Sequence, residues 1–233
     1  MNVHRLQKLS KMKKQIISSI VLLLIVIAAR SQNKEPFPFW NEVQKFKTID
    51  SVAFPASNQI LLIGSSSFTM WKDVHTYFPD RKILNRAFGG STLADVIRYR
   101  YDVIFPYQPK QIVIYCGEND FAASDTVTVE LVIQRFTTLY KYIRSKYKTV
   151  PLAYVSMKPS PSRAHLLEKY KEANKRIKSF LATKHNTKFV DVYSVMLNEK
   201  GEPMQDIFLS DNLHMNAKGY AIWKQKLENV LLK

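Results

Sequence analysis

The chain has 233 residues, of which 46% are hydrophobic and 23% are charged, and this balance excludes a wholly disordered protein. Its length suits one α/β domain with a sizeable core and is short for two domains. The single cysteine, Cys116, excludes an internal disulfide framework and any multi-cysteine metal site. Because it ends an apolar run, Cys116 is expected to be a buried, small hydrophobic side chain.

The formal net charge is +16, and part of this charge is local. Six basic residues and no acidic residue precede residue 32, which leaves +10 for the rest of the chain. Such a charge favours acidic partners such as nucleic acid or anionic glycans. The lysines are scattered over predicted helix faces, however, and no aromatic-basic motif is present, so we expect a solvated basic surface and no nucleic-acid partner.

Residues 1–31 are predicted to be an export signal. A cluster of lysines between residues 8 and 14 precedes the apolar segment Ile16–Ala29, which is short for a membrane span of about 20 residues and typical of a signal peptide. Small residues at the −3 and −1 positions predict cleavage after Ser31. The alternative is an uncleaved membrane anchor, the only membrane contact that we expect. In both cases the remaining domain is expected to work outside the cytoplasm, as a periplasmic, extracellular or outward-facing anchored protein.

Residues 32–58 are predicted to form a linker with a short helix, Trp40–Phe46, that covers a sheet edge, and the main domain is expected to span 59–233. The apolar runs predict five strands, Gln59–Gly64, Ile83–Phe88, Gln111–Cys116, Pro151–Met157 and Lys188–Val192. Helical patterns follow at Leu93–Phe105, Thr126–Tyr147, Ala164–Lys184 and Ala217–Leu232. Alternation of this kind predicts an α/β fold with a parallel sheet and helices on both faces.

Polar turns follow the first three predicted strands, at residues 64–67, 88–92 and 117–120. Because right-handed crossovers place the carboxyl ends of parallel strands at one edge, we expect these turns to converge there, joined by the loop Asp211–His214. A stiff loop with two prolines follows strand four, and Arg163 at its end is a candidate contact for an anionic substrate group.

A serine nucleophile needs a base, usually a histidine that is held in one tautomer by a carboxylate. Among the five histidines, His214 has a carboxylate, Asp211, three residues before it, a spacing that places both on one face of a turn. His165 and His185 have charged neighbours and are expected to be exposed. The spacing alone does not distinguish among the three consecutive serines at 65–67.

Acyl transfer also needs hydrogen-bond donors where the oxyanion forms. Gly90 offers an unobstructed backbone N–H at a helix start, and Asn119 offers a side-chain amide at a strand end. Each feature alone is more often turn or cap chemistry. Their occurrence in order, each after a buried strand, favours a common site.

Four segments together resemble the SGNH (GDSL-type) hydrolase family, which is named for a catalytic serine, glycine, asparagine and histidine. The segments occur in the family's order, at Gly64-Ser65-Ser66, at the run from Asn85 to Thr92, at Gly117-Glu118-Asn119-Asp120 and at Asp211-Asn212-Leu213-His214. The resemblance covers the chain from about residue 59 to its end. It implies a flavodoxin-like, three-layer α/β/α sandwich with five parallel strands.

The resemblance also implies a role for each matching residue. Ser66 would be the nucleophile and, through its backbone N–H, one oxyanion donor. Gly90 would be the second donor through its N–H, and Asn119 the third through its side-chain amide. His214 would act as general base and then as general acid, oriented by Asp211.

The sequence departs from the family in its first segment, where Ser65 stands in place of the usual aspartate, as in some other members. The Gly-x-Ser-x-Gly elbow of typical α/β-hydrolases is absent, since Phe68 occupies its last position. From the predicted export, the small size of the domain and the habit of the family, we expect an esterase that hydrolyses short acyl esters, acetyl first, of carbohydrate or a similar polar alcohol. It would need no cofactor, and no histidine spacing supplies a metal site. The alternatives are a catalytically silent, SGNH-like glycan-binding domain and a flavodoxin-like mononucleotide binder, whose serine-rich loop would hold phosphate.

Overall fold

Five short apolar segments form a parallel β-sheet. The computed structural model describes residues 37–233 and, before them, only Gln15, so the predicted export signal and its cleavage site lie outside the described residues. The strands are β1 (Ile60–Gly64), β2 (Ile83–Asn85), β3 (Gln111–Tyr115), β4 (Leu152–Val155) and β5 (Thr187–Val190). Their spatial order is β2-β1-β3-β4-β5, and every pair is parallel. The predicted five-stranded parallel sheet is confirmed.

The two central strands are apolar on both faces because helices cover both faces of the sheet. β1 and β3 are buried along their whole length and pair in register from Ile60 opposite Gln111 to Gly64 opposite Tyr115. Successive side chains of a strand point to opposite faces, so Leu61 packs into one core and Leu62 into the other. A continuous apolar run, rather than alternation, is therefore what these strands require.

Nine helices are present in the part of the chain that the structure describes. They are α1 (Trp40–Val52), α2 (Ser66–Thr69), α3 (Val74–Tyr77), α4 (Leu93–Arg98), α5 (Arg100–Val103), α6 (Glu118–Ala122), α7 (Val129–Lys146), α8 (Leu167–Ala182) and α9 (Ala217–Leu227). Two 3₁₀ turns lie at Pro161–Leu166 and Ser194–Met196. Helices α1, α4, α5, α7 and α8 pack on one face of the sheet, and α2, α3 and α9 pack on the other. The predicted three-layer α/β/α sandwich is confirmed.

In the long helix α7, the spacing of the apolar residues places them on the face that packs into the core. Its buried side chains, Val132, Phe136, Leu139 and Ile143, recur every three to four residues and therefore share one face of the helix. The hydroxyl of Thr128 accepts a hydrogen bond from the backbone N–H of Leu131 at 3.2 Å, which satisfies one of the free donors at the helix start.

Several element boundaries differ from those predicted. The helix predicted over Leu93–Phe105 is broken at Tyr99, whose buried ring packs edge-on against Phe88. The helix predicted from Ala164 begins at Leu167, after the 3₁₀ turn Pro161–Leu166, within which Arg163 has non-helical backbone angles. β2 ends at Asn85, where the side-chain oxygen accepts from the Ala87 N–H at 3.1 Å and closes a turn. The final helix ends at Leu227 rather than Leu232.

Helix α1 is longer than predicted and belongs to the same compact unit as the sheet, which extends from Phe39 to Lys233. Within α1, Val43 is buried in the core, and Asp50 near the end of the helix forms an ion pair with Arg86. Cys116 is buried as predicted, and burial raises the pKa of its thiol well above the usual value. Among the residues described, no helix is both long enough and apolar enough to cross a membrane.

Candidate active site

The turn after β1 places three serines at the carboxyl edge of the sheet. Gly64 has a φ of +125°, and a Cβ there would lie 1.9 Å from the carbonyl oxygen of Tyr115, so only glycine fits. The Ser65 N–H donates to the same carbonyl at 2.9 Å, and α2 then begins at Ser66. Ser65 and Ser67 are buried, whereas Ser66 is partly exposed. The structure thus separates three residues that spacing could not distinguish.

Ser66, His214 and Asp211 form one hydrogen-bonded line. The Oγ of Ser66 lies 3.1 Å from Nε2 of His214, and Nδ1 of His214 lies 2.6 Å from Oδ2 of Asp211. A carboxylate only accepts, so Nδ1 carries the proton and Nε2 presents its lone pair to the serine hydroxyl. This is the arrangement that allows a histidine to remove a proton from a serine.

The loop that carries His214 is organised by the carboxylate of Asp211. Its Oδ1 accepts the backbone N–H groups of Leu213 at 2.9 Å and His214 at 3.0 Å. Partial burial acts to raise the pKa of Asp211, but these bonds and the one from the imidazole outweigh it and bring the pKa to about 2. Asp211 is therefore ionised at neutral pH, as the orientation of His214 requires.

Ser66 and Gly90 carry the two backbone N–H groups that are predicted to face an oxyanion. Gly90, with a φ of +81°, lies in a turn that is tied to β1, because Phe88 N–H and Ser91 Oγ both donate to the Gly64 carbonyl at 2.9 Å. The same turn approaches the serine closely, since a Cβ built on Gly89 would lie 4.0 Å from that of Ser66. Within residues 37–233, no acceptor takes the N–H of Ser66 or of Gly90. Both groups are available to a ligand.

The side chain of Asn119 connects the other turns. Its Nδ2 donates to Ser65 Oγ at 2.6 Å and to the Ser91 carbonyl at 3.1 Å, and its Oδ1 accepts from Arg163 Nη2 at 2.8 Å. The structure therefore brings together all the residues that the sequence analysis singled out for the site.

A buried cluster of charges behind Asn119 was missed by the sequence analysis. Oε2 of Glu118 lies 3.3 Å from Nζ of Lys158 and 3.5 Å from Nη1 of Arg163. Oε1 accepts from the Lys158 N–H at 3.0 Å and from the Tyr115 hydroxyl. Burial lowers the pKa of Lys158, against the opposing effect of Glu118. Two nitrogens of the Arg163 guanidinium contact Glu118 and Asn119, and the contact of Arg163 with an anionic substrate group stays a prediction.

The remaining candidates fall outside the site. Asp120 is buried, accepts from the Leu93 N–H at 2.8 Å and pairs with Arg135 at 2.7 Å. Burial raises the pKa of Asp120, and its role is to hold α4 against α6 and α7. His165 and His185 are exposed, as predicted. Across the described ranges, no group of three or more histidine, cysteine, aspartate or glutamate side chains could hold a metal ion.

A cavity of about 420 Å³ lies near the serine turn, and its lining includes Thr69 and Gly89 but none of Ser66, Gly90, Asn119 and His214. Thr69, three residues after Ser66 in α2, and Gly89 are the lining residues closest to Ser66 in the fold, since a Cβ built on Gly89 would lie 4.0 Å from the Cβ of Ser66 and from Cγ2 of Thr69. Apolar side chains make up much of the rest, namely Phe46, Ile49, Trp71, Val74, Ala87 and Phe88. Polar and charged side chains complete the lining, namely Glu42, Lys45, Lys72, His75 and Asn85. Helix α1 thus contributes a wall of the cavity.

A parallel α/β sheet with a serine, histidine and aspartate in line at its carboxyl edge is the arrangement of the SGNH class of hydrolases. The model of the GDSL-like lipase/acylhydrolase family matches residues 64–222, which is most of the chain. The chain therefore belongs to this family, and the resemblance seen in the sequence is confirmed.

Solved structures share the fold at low sequence identity. A GDSL-like lipase from Bacteroides thetaiotaomicron is 20% identical with a TM-score of 0.68, and the match covers 80% of this chain and 95% of that one. A lipase/acylhydrolase from Enterococcus faecalis is 21% identical with a TM-score of 0.59, and the match covers 75% of this chain and 97% of that one. A carbohydrate esterase family 3 protein from Talaromyces cellulolyticus is 13% identical with a TM-score of 0.57, and the match covers 74% of this chain and 95% of that one. None of the curated proteins compared with the chain matches it. At these identities the solved structures show the fold alone.

Proposed function

We propose that this protein is a serine esterase that hydrolyses short-chain acyl esters, acetyl first, of carbohydrate or a similar polar alcohol. The observation that carries the proposal is the line from Ser66 through His214 to Asp211. Of the three serines in the turn, the one that contacts the histidine is also the one with an exposed surface. Family membership supports a hydrolase, and this geometry supports a carboxylic ester as its substrate class.

In the first half of the reaction, His214 Nε2 removes the proton from Ser66 as the oxygen attacks the acyl carbonyl. The resulting oxyanion is held by the N–H groups of Ser66 and Gly90 and by the amide of Asn119. His214 then gives its proton to the departing alcohol oxygen, the carbon–oxygen bond of the ester breaks, and the acyl group remains on Ser66.

The second half repeats these steps with water. His214 removes a proton from water, which attacks the acyl carbonyl, and the same donors hold the second oxyanion. The carbon–oxygen bond to Ser66 breaks, the serine regains its proton from His214, and the acid is released. Asp211 keeps the imidazole oriented in both halves and stabilises its charged form, because it remains ionised.

The cavity near the serine turn supports a small, polar substrate. Its volume of about 420 Å³ lies within the range of about 300–1,000 Å³ that is usual for small-molecule sites. Charged groups on the lining, among them Glu42 and Lys45, suit hydroxyl groups better than a long alkyl chain. One fold neighbour is named as a carbohydrate esterase. The N-terminal segment alone supports the further proposal that the enzyme is exported.

Steady-state hydrolysis of p-nitrophenyl acetate, butyrate and octanoate, and acetate release from an acetylated monosaccharide, test this function. We expect turnover of the acetyl esters to exceed that of the octanoate and to disappear in His214→Ala. The matched control is His185→Ala, which removes an exposed histidine that precedes β5 at the opposite edge of the sheet. Binding of the acetylated sugar without turnover would instead identify a silent, glycan-binding domain.

A further inference from the structure

The orientation of the Asn119 amide is fixed by Arg163. A guanidinium has only donors, so the atom of Asn119 that lies 2.8 Å from Nη2 of Arg163 must be the carbonyl oxygen. The amide nitrogen is then forced towards the serine turn, where it donates to Ser65 and to the Ser91 carbonyl. The Ser91 carbonyl, which only accepts, favours the same orientation from the other end of the amide.

Arg163 is itself held in place from several directions. Its side chain is 16% exposed, and its Nη1 lies 3.5 Å from Glu118, whose other partner is the buried Lys158. Its backbone N–H donates to the Ser160 carbonyl at 3.1 Å. The neighbouring Ser162 N–H donates to the Asn212 carbonyl at 3.1 Å, which ties this turn to the loop of the catalytic histidine. The guanidinium is therefore a fixed charge at the carbonyl end of Asn119.

Both hydrogens of the Asn119 amide have protein partners, and this limits how it can serve an oxyanion. One is directed at Ser65 Oγ at 2.6 Å and the other at the Ser91 carbonyl at 3.1 Å. A neutral hydroxyl holds an N–H less firmly than a carboxylate would, because charge-assisted hydrogen bonds are stronger. Ser65, where the family usually has an aspartate, is thus a partner that Asn119 can release. A positive charge on the carbonyl oxygen strengthens the N–H groups as donors, since linked hydrogen bonds polarise one another.

We propose that Arg163 is a positioning residue for ester hydrolysis, which orients and polarises the Asn119 amide so that it turns from Ser65 to the oxyanion. This inference rests on the proposed esterase function. Arg163 acts through Asn119 and does not touch the substrate. Its effect therefore falls on turnover, at the stage where the oxyanion forms, and leaves substrate binding nearly unchanged.

A double-mutant cycle with p-nitrophenyl acetate tests the inference. We expect Arg163→Met to lower kcat at least 10-fold, less than the about 10²- to 10³-fold expected for loss of the donor itself, with little change in KM. In an Asn119→Ala background, Arg163→Met should cause no further loss, because its only route to the oxyanion is gone. Arg163→Lys, which keeps the charge but not the planar fork, should recover part of the turnover.

Controls separate this role from a structural one. Arg176→Met removes a half-buried arginine that pairs with the exposed Glu130, and it should leave kcat unchanged. If Arg163→Met does not fold, the same cycle with Arg163→Lys replaces it. Equal losses in the wild-type and Asn119→Ala backgrounds would overturn the inference, and so would a change confined to KM. Normal Arg163 variants beside an impaired Asn119→Ala would overturn this inference alone, whereas turnover that does not depend on Ser66 would overturn the esterase proposal as well.

Discussion

Two polar regions flank Ser66, and they differ in exposure and in construction. The loop of Asp211 and His214 is wet, with side chains that are 46% and 23% exposed. The cluster of Glu118, Lys158 and Arg163 is dry, with side chains that are 7%, 1% and 16% exposed. The carboxylate of Asp211 is bonded to residues two and three positions away, whereas the cluster joins residues 40 and 45 positions apart.

The difference assigns a separate task to each region. A histidine at an exposed edge can exchange protons with substrate and water, as both halves of the proposed reaction require. Buried charges that are paired with one another keep a fixed arrangement and do not lose their field to solvent screening. Proton transfer thus belongs to the loop, and a permanent electrostatic bias on Asn119 belongs to the cluster.

The largest effect on turnover is expected at Ser66, which the two regions flank. Ser66→Ala removes the attacking oxygen and should lower kcat by about 10⁴-fold or more, as in other enzymes that lose a serine nucleophile. Ser65→Ala and Ser67→Ala are matched controls in the same turn, and their losses should be far smaller. Steady-state kinetics on p-nitrophenyl acetate measures all three. If Ser66→Ala remained active and Ser65→Ala were inactive, the nucleophile would be Ser65 and the assignment to Ser66 would be wrong.

The dry cluster is expected to dominate stability. Lys158→Met leaves the buried Glu118 carboxylate with fewer partners and should lower the free energy of unfolding by about 3–5 kcal/mol. The double variant Glu118→Gln/Lys158→Met should cost less than the sum of the single changes, because neither charge is then left alone. Urea unfolding followed by circular dichroism measures the three variants. Additive losses would show that the two groups do not interact.

Loss of the amide donor should impair turnover while leaving the fold intact. Asn119→Ala is expected to lower kcat by about 10²- to 10³-fold, or roughly 3–4 kcal/mol of transition-state stabilisation. The side chain is only partly buried, so the melting temperature should change little. Kinetics and thermal unfolding on the same preparation separate the two effects, and a large loss of stability with normal turnover of the folded fraction would contradict this role.

The smallest effect concerns the wet loop and acid pH. Asp211 has a pKa of about 2 in the folded protein and about 3.9 when unfolded, so its ionised form stabilises the fold above the unfolded value. That contribution is lost as the pH falls through about 2. The difference in melting temperature between the wild type and Asp211→Asn should therefore be constant above about pH 5 and shrink below pH 4. If the difference in melting temperature grew as the pH fell, the lowered pKa of Asp211 in the folded protein would be contradicted.

The pairing of Asp211 with His214 in the wet loop was predictable from the sequence, because this contact is local. A carboxylate three residues before a histidine is visible as spacing, and the family's order of segments linked it to Ser66 and Gly90. The five strands were predictable for a similar reason, since each is a continuous apolar run bounded by polar turns. Boundaries such as the break at Tyr99 were not, because tertiary packing of the ring against Phe88 decides them.

The dry cluster could not be predicted in the same way. Glu118 and Lys158 lie 40 residues apart, and only the adjacency of β3 and β4 in the sheet brings them together. Arg163 was noticed as part of a stiff loop, but the sequence does not show that it faces Asn119 rather than solvent. The one available signal was a lysine and an arginine on both sides of two prolines at the end of a strand, on the edge where the other polar turns meet.

Covalent labelling with a fluorophosphonate probe, followed by mass-spectrometric localisation of the adduct, tests the central claim most directly. The probe reacts with a serine that a neighbouring base has activated, so it reports the line of Ser66, His214 and Asp211 without assuming a substrate. We expect one adduct, on Ser66, that is lost in His214→Ala and retained in His185→Ala. An unlabelled wild type, or an adduct on Ser65 or Ser67, would contradict the account.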